Sequence, residues 1–304
     1  MKILITGSSG FLGQHLARRL VKDGHDLTCL NSKNCDLTNG QSLDKFNNVK
    51  YDKIYHLAAW TQAGDFCLRH PGEQWIINQK INSSVLTFWN EKQPQSKLIT
   101  MGTSCSYDPD LELIEDNYLT GTPIDSLFTY AMTKRMMEVG LRSINKQFGL
   151  KYLTVVPSTL YGPGYHTDDR QLHFIFDLIR KILNAKYNDQ DVVLWGNGHQ
   201  KREIVYIDDF INDLLELDEI VDNDLVNIGA NEEHSIRNFA ALISKIVDYD
   251  VTKIVYDENR YVGAESKFLS TKKESNLLGN LKRTKISNGL ETTIDWFQKN
   301  IINK

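Results

Sequence analysis

The sequence predicts an α/β protein: a doubly wound parallel sheet with a smaller mixed α/β unit attached. Three observations carry that expectation. Short apolar runs alternate with helical segments through the first half of the chain. The first of these runs is followed at once by Gly7, Gly10 and Gly13. The alternation then breaks down after Gly164.

Taken in order, Lys2–Thr6 is a strand-type run and Gln14–Lys22 reads as a helix. Asp26–Leu30 and Lys53–Ala58 are the next strands, and Asn78–Asn90 is a helix. Lys97–Met101 is a strand that runs straight into Gly102-Thr103-Ser104-Cys105. Tyr130–Phe148 is a long helical segment, and Tyr152–Val156 is a strand ending at Pro157. Beyond Gly164 the expected elements are helices at Leu172–Ala185, Asp208–Leu217, Ile236–Val247 and Leu290–Asn300. Short strands are expected at Val192–Leu194 and Leu225–Ile228. Residues 1–163 with about 203–230 form the first expected domain, and about 164–202 with 231–304 form the second. No Pro/Gly/Ser-rich linker separates them, so a broad shared interface is expected.

Composition narrows the classes. The formal net charge of -4 argues against nucleic-acid binding, which needs a basic excess or stripe. No apolar run approaches the roughly 20 residues of a membrane span. The opening MKILITGSSGFLG carries one Lys and a broken apolar run, so it reads as a strand and not an export signal. A cytoplasmic location follows as the expectation. Cys29, Cys35, Cys67 and Cys105 lack zinc-site spacing and are expected to be free thiols, inert by default. No metal site is expected.

The glycines follow the pattern GxxGxxG between the first strand and first helix. There they permit a tight turn and let backbone N–H groups approach a pyrophosphate at the helix N-terminus. That context makes the sheet Rossmann-type and the ligand a dinucleotide. Where NAD enzymes place a carboxylate on the ribose, this chain reads Cys29-Leu30-Asn31-Ser32-Lys33. Small polar groups and a cation there favour a 2′-phosphate, hence NADP(H).

Tyr130-Ala131-Met132-Thr133-Lys134 is YxxxK, with phenol and ammonium on one helix face. Lys134 is expected to draw the phenol's pKa down so that Tyr130 can exchange a proton with a sugar oxygen. It begins a helix about 25 residues after the Gly-Thr-Ser strand end. The combination resembles the Ser/Thr-Tyr-Lys triad of short-chain dehydrogenases. Thr103 holds the hydroxyl position, and Ser104 is a neighbour able to substitute.

The resemblance extends further. Met101-Gly102-Thr103-Ser104-Cys105-Ser106-Tyr107 is similar to the Gly-Ser-Ser-Cys-x-Tyr segment of GDP-L-fucose synthases, in the extended short-chain dehydrogenase group. Pro157-Ser158-Thr159-Leu160-Tyr161-Gly162-Pro163, Leu172-His173-Phe174-Ile175, Trp195-Gly196-Asn197-Gly198 and Arg202-Glu203 match that family in order across nearly the whole chain. The resemblance implies C3/C5 epimerisation of a GDP-linked 4-keto-6-deoxy sugar followed by reduction at C4 with NADPH. Cys105 and His173 would be its base and acid, since thiol and imidazole both titrate near neutral pH. Either residue alone also fits inert packing.

By the same resemblance, Ser9, Phe11, Leu12, Asp36, Leu37, Leu57, Ala58, Ala59, Pro157 and His173 line the cofactor together with Asn31 and Lys33. Arg202 is expected on the nucleotide diphosphate, assisted by Lys267 and Lys181. Trp195 either stacks on the nucleotide or packs in the core. A homodimer is implied by analogy. Departures fall at Thr103, Asp108, Trp60–Asp65 and the acidic segment Tyr165–Gln171. Other readings are a 4-epimerase with tightly held NAD, a 4-keto reductase without epimerisation, and a non-catalytic NADP sensor.

Overall fold

The computed structural model describes residues 1–166, 168, 170–259 and 265–302. In chain order its elements begin β1 (Lys2–Thr6), α1 (Phe11–Lys22), β2 (Asp26–Leu30), β3 (Lys53–His56), α2 (Phe66–Arg69), α3 (Pro71–Lys92) and β4 (Lys97–Met101). There follow α4 (Phe128–Phe148), β5 (Tyr152–Pro157), β6 (Thr159–Tyr161), α5 (Phe174–Asn188), β7 (Val192–Trp195), β8 (Lys201–Arg202) and β9 (Ile204–Tyr206). The last are α6 (Ile207–Ile220), β10 (Asp224–Ile228), β11 (His234–Ser235), α7 (Ile236–Val247), β12 (Ile254–Asp257), α8 (Lys272–Leu278) and α9 (Ile286–Phe297).

Six parallel strands form the main sheet in the order β2-β1-β3-β4-β5-β10. β3 and β4 are buried along their whole length, as strands covered on both faces must be. The pleat sorts side chains between two cores. Ile3 and Ile5 of β1 face α1 and α6 through Leu16, Phe210 and Leu214. Leu4 faces α3 and α4 through Val85, Trp89 and Leu141. Each fully buried aliphatic side chain stabilises by about 1.5–3 kcal/mol. Truncating Ile5 to Ala would cost about 2–5 kcal/mol.

A further core lies beyond β5. α5, α7 and α9 pack around Phe176, Ile179, Phe239, Leu290 and Phe297. The parallel pair β7–β12 covers it, with Val192 and Leu194 inward and Val193 and Trp195 outward. Two more short pairs, β8–β11 and β6–β9, tie this region to the main sheet.

Several elements differ from the sequence reading. α3 starts at Pro71, a residue suited to the first helical position. Its first turns, before Asn78, escape a periodicity test because buried Gln74 interrupts the apolar stripe there. β3 stops at His56, although the Leu57 N–H still donates to the Thr6 carbonyl. β6, β8, β9, β11, β12, α2 and α8 are too short to carry a periodic signal. Of the acidic segment 165–171, Thr167 and Asp169 lie outside the described residues.

Candidate active site

Strand order reverses between β1 and β3, and the glycine turn sits at that switch point, beyond the carboxyl ends of the strands. Gly7 has φ +68, and a Cβ there would lie 2.7 Å from the Ala58 nitrogen. At Gly13 a Cβ would lie 2.3 Å from the Gly7 carbonyl oxygen. Only glycines allow the turn, β3 and α1 to approach this closely. The Gly10 N–H closes the turn onto the Gly7 carbonyl at 3.0 Å. α1 then begins at Phe11 with no side-chain cap and no acidic residue in its first turn. Its free N–H groups form an anion cradle, so the residues fit a dinucleotide pyrophosphate.

The floor of the cradle is fixed by a buried imidazole. His56 meets the Thr6 hydroxyl through Nδ1 at 2.8 Å and Asn82 through Nε2 at 3.2 Å. Burial, then the nearby Lys134 charge, lowers its pKa to about 4, so it is neutral. The Ala58 N–H donates to the same Thr6 hydroxyl. Leu57, Ala58 and Ala59 are thereby held against the glycine turn. Ser9 is exposed, and its carbonyl accepts from the Gln14 amide.

At the end of β2 the Asn31 carboxamide accepts from the Lys33 N–H at 2.9 Å and from the Asn34 N–H. This Asx turn presents Lys33 to solvent. Asp36 is exposed and accepts from both the amide and hydroxyl of Thr38, whereas Leu37 belongs to the core beside Leu43. Pro157 closes β5, paired with Ile228.

The predicted catalytic groups meet where β4 ends and α4 begins. Thr103 accepts from the Cys105 N–H at 3.3 Å, capping the 3-10 turn Ser104–Ser106. Tyr130 stands in the first turn of α4, with the Lys134 Nζ 6.0 Å from its ring centroid. The protonation balance differs from the sequence expectation. Burial pushes the Tyr130 phenol well up, Cys105, Tyr118 and Cys67 add to the rise, and only the Thr103 hydroxyl opposes it. The Lys134 ammonium, itself depressed by burial to about 8, does not offset the effect of burial on the phenol. A protonated phenol of this kind is poised as a proton donor.

Cys105 is half-buried, and the Lys267 ammonium lies 3.7 Å from its sulfur. Arg202 faces the same thiol. Burial lowers the guanidinium pKa, while Cys105 and Glu233 oppose that shift. Its Nη1 donates to the Lys201 carbonyl at 2.6 Å. Two residues expected on a diphosphate are therefore gathered around the thiol.

His173 precedes α5 at a solvent-open position, with the Tyr165 ring 6.3 Å away. Desolvation by the surrounding protein, then His166, lowers its pKa, which favours the neutral imidazole. Tyr165 and Phe176 stack on each other and both meet Phe11 edge to face, so the cofactor turn touches the segment carrying His173. Leu12 packs into the core on the α1 side of the main sheet. Lys181 pairs with Asp177 on its own helix at 2.9 Å. Trp195 is 57% exposed, which removes its reading as a core aromatic.

Two features escaped the sequence reading. Cys67 is buried in α2 against Gln74 and acts electrostatically on Tyr130, while burial and then Cys105 raise its own pKa. The Gln171 amide exchanges hydrogen bonds with Asp65, joining the loop after β3 to the approach of His173. Neither has a local sequence signal, since each partner lies on a different segment.

Comparison with known proteins agrees with this geometry. The model of the NAD dependent epimerase/dehydratase family matches residues 3–229. The chain belongs to that family. It is 27% identical to the GDP-L-fucose synthase of Dictyostelium discoideum, over 98% of this chain and 95% of that one. It is 26% identical to the GDP-L-colitose synthase of Yersinia pseudotuberculosis, over 98% of each. Among solved structures, a GDP-L-fucose synthetase from Naegleria fowleri superposes with TM-score 0.89 at 24% identity, covering 98% of this chain and 94% of that chain. A UDP-glucose 4-epimerase from Thermotoga maritima superposes with TM-score 0.86 at 22% identity, covering 98% and 99%. At these identities the structural likenesses show the fold.

Proposed function

We propose that the chain is an NADPH-dependent epimerase/reductase of a nucleotide-linked 4-keto-6-deoxy sugar, GDP-linked by preference. The observation that carries this reading is the junction at Thr103. One hydroxyl both caps the turn holding Cys105 and opposes the upward shift of the Tyr130 phenol. This shared hydroxyl supports a reading in which proton transfer at carbon and at oxygen take place side by side.

The glycine turn, the start of α1, Asn31, Lys33 and the Leu57–Ala59 segment would hold the dinucleotide, which when bound supplies hydride to C4. An NADP-bound structure of the Naegleria fowleri protein shares this fold at 24% identity. Lys33, with no carboxylate beside it, supports NADPH over NADH. A 4-keto group acidifies the protons on C3 and C5. Cys105, beside two cations, is suited to remove such a proton as thiolate, and neutral His173 to exchange one on the other face. Tyr130 gives its proton to O4 during reduction. The names of the relatives in Dictyostelium discoideum and Yersinia pseudotuberculosis support a GDP-sugar.

We place the dinucleotide unit at residues 1–163 with about 203–230 and the sugar-nucleotide unit at about 164–202 with 231–304, consistent with the separate cores. Four free thiols fit a reducing, cytoplasmic compartment. Among the described residues no helix is long and apolar enough to cross a membrane. Exposed Trp75 and Ile76 on α3 and Met136 and Val139 on α4, two helices packed together, support a homodimer through this pair.

The test is incubation with NADPH or NADH and a panel of GDP-, UDP-, CDP- and dTDP-linked 4-keto-6-deoxy sugars, following absorbance and product stereochemistry. NADPH oxidation with inversion at C3 or C5 of the GDP-sugar is expected. Oxidation with no inversion would make the chain a plain 4-reductase. Tightly held NAD with no net oxidation would make it a 4-epimerase.

A further inference from the structure

One buried acid beside the site has no role in the chemistry described. Glu203 follows Arg202 and is 2% exposed. Its Oε1 accepts from the Ala230 N–H at 2.7 Å and the Asn231 N–H at 3.1 Å. Its Oε2 accepts from the Leu269 N–H at 3.1 Å. The approach is tight enough that a Cβ on Gly229 would lie 2.4 Å from Oε1.

Three separate segments thus meet on one carboxylate. The first carries Arg202 and the third carries Lys267, two residues before Leu269. Both cations face the Cys105 sulfur. Other ties also join these segments: Arg202 and Lys201 pair with His234 and Ser235 in β8–β11, the Thr271 hydroxyl donates to the Asn231 side chain at 3.3 Å, Lys201 and Ser266 meet Glu233 at 3.1 and 2.5 Å, and the Lys201 N–H donates to the Glu265 carbonyl.

We propose that Glu203 is a positioning residue whose carboxylate sets Arg202 and Lys267 in register around the Cys105 thiol. The proposal rests on the reading of Cys105 as a proton-transfer group. It gives that group's cationic surroundings a shared buried anchor.

The charges around Glu203 support a pH-sensitive clamp. The cation acting on it is Arg283, itself shared with Asp213 and Glu274. Burial pushes the Glu203 carboxyl up to about 7, with the three backbone donors and Arg283 opposing. Protonation converts one acceptor oxygen into a donor, so the clamp weakens as pH falls through about 7.

The test is alkylation of the full-length protein by iodoacetamide, with Cys105 and exposed Cys29 quantified separately by peptide mass spectrometry. Glu203→Gln keeps the shape but replaces one acceptor by an amide. It should slow Cys105 alkylation roughly three- to tenfold near neutral pH, in the same direction as Lys267→Met, and leave Cys29 unchanged. It should also remove the break in the Cys105 rate expected near pH 7 in the wild type. An unchanged Cys105 rate in Glu203→Gln overturns the proposal, whatever Lys267→Met does. If that variant does not accumulate, Gly229→Ala displaces the same carboxylate sterically, and the same outcomes decide. The functional reading is checked apart, by solvent deuterium exchange into the 4-keto sugar. If Cys105→Ser exchanges at the wild-type rate while Glu203→Gln still slows alkylation, the positioning stands and the epimerase role falls.

Discussion

The Lys267 ammonium lies 3.7 Å from the Cys105 sulfur, although 162 residues separate them in the chain. A cation at that distance is placed to offset negative charge that develops on the sulfur during proton transfer. Lys267→Met should therefore lower solvent deuterium incorporation at C3 or C5 by about 10²-fold while leaving NADPH binding intact. Cys105→Ser should do the same, since a serine hydroxyl ionises far above neutral pH. His173→Asn should allow exchange with little inversion. Proton NMR in deuterated water without NADPH isolates this step, and wild-type exchange in both Cys105→Ser and His173→Asn would make the pair structural.

Tyr130→Phe should abolish C4 reduction, by about 10²–10⁴-fold, and keep cofactor affinity, because the ring still packs while the proton donor is gone. Stopped-flow NADPH oxidation and a fluorescence titration separate the two effects. Near-normal turnover would remove Tyr130 from the mechanism.

Lys134 makes a stability prediction with a defined sign. Burial depresses its ammonium from the ordinary value of 10.5 to about 8. The folded chain therefore bears the full penalty of a buried charge below about pH 8, and the penalty fades as pH rises toward the unfolded value. Lys134→Met should raise stability by roughly 1–2 kcal/mol at neutral pH, with a smaller gain at higher pH, while losing activity. Denaturant melts at several pH values would show this, and a variant less stable than wild type at neutral pH would contradict it.

Gly13→Ala should weaken dinucleotide binding at least about tenfold and destabilise the chain by about 1–3 kcal/mol. The new Cβ would press on the Gly7 carbonyl at 2.3 Å, a backbone atom that cannot swing aside. Calorimetric titration with NADPH measures the loss, and an unchanged affinity would show that the turn is not the cradle.

Met136→Glu on the exposed face of α4 should shift a dimer toward monomer in sedimentation velocity, because a charge would enter an apolar contact. A monomeric wild type would remove the dimer reading.

Strong local patterns made much of this legible from the sequence. Glycines that must sit between a strand and a helix, a Tyr and a Lys one helical turn apart, and apolar runs of strand length each depend on neighbours a few residues away. They therefore marked the sheet, the cofactor turn and the Thr103–Tyr130–Lys134 group. Short partners such as β8 and β11 left no period to read, and polar Gln74 hid the start of α3. The tertiary structure alone decided the rest. It brought Lys267 to the Cys105 thiol, tied Lys181 to Asp177, and buried Cys67 against Gln74. It also reversed the expected shift of the Tyr130 phenol. Charge state inside a protein depends on how much water the whole fold excludes, and which cation meets which sulfur depends on distances across segments. Neither is written in the spacing of residues along one helix.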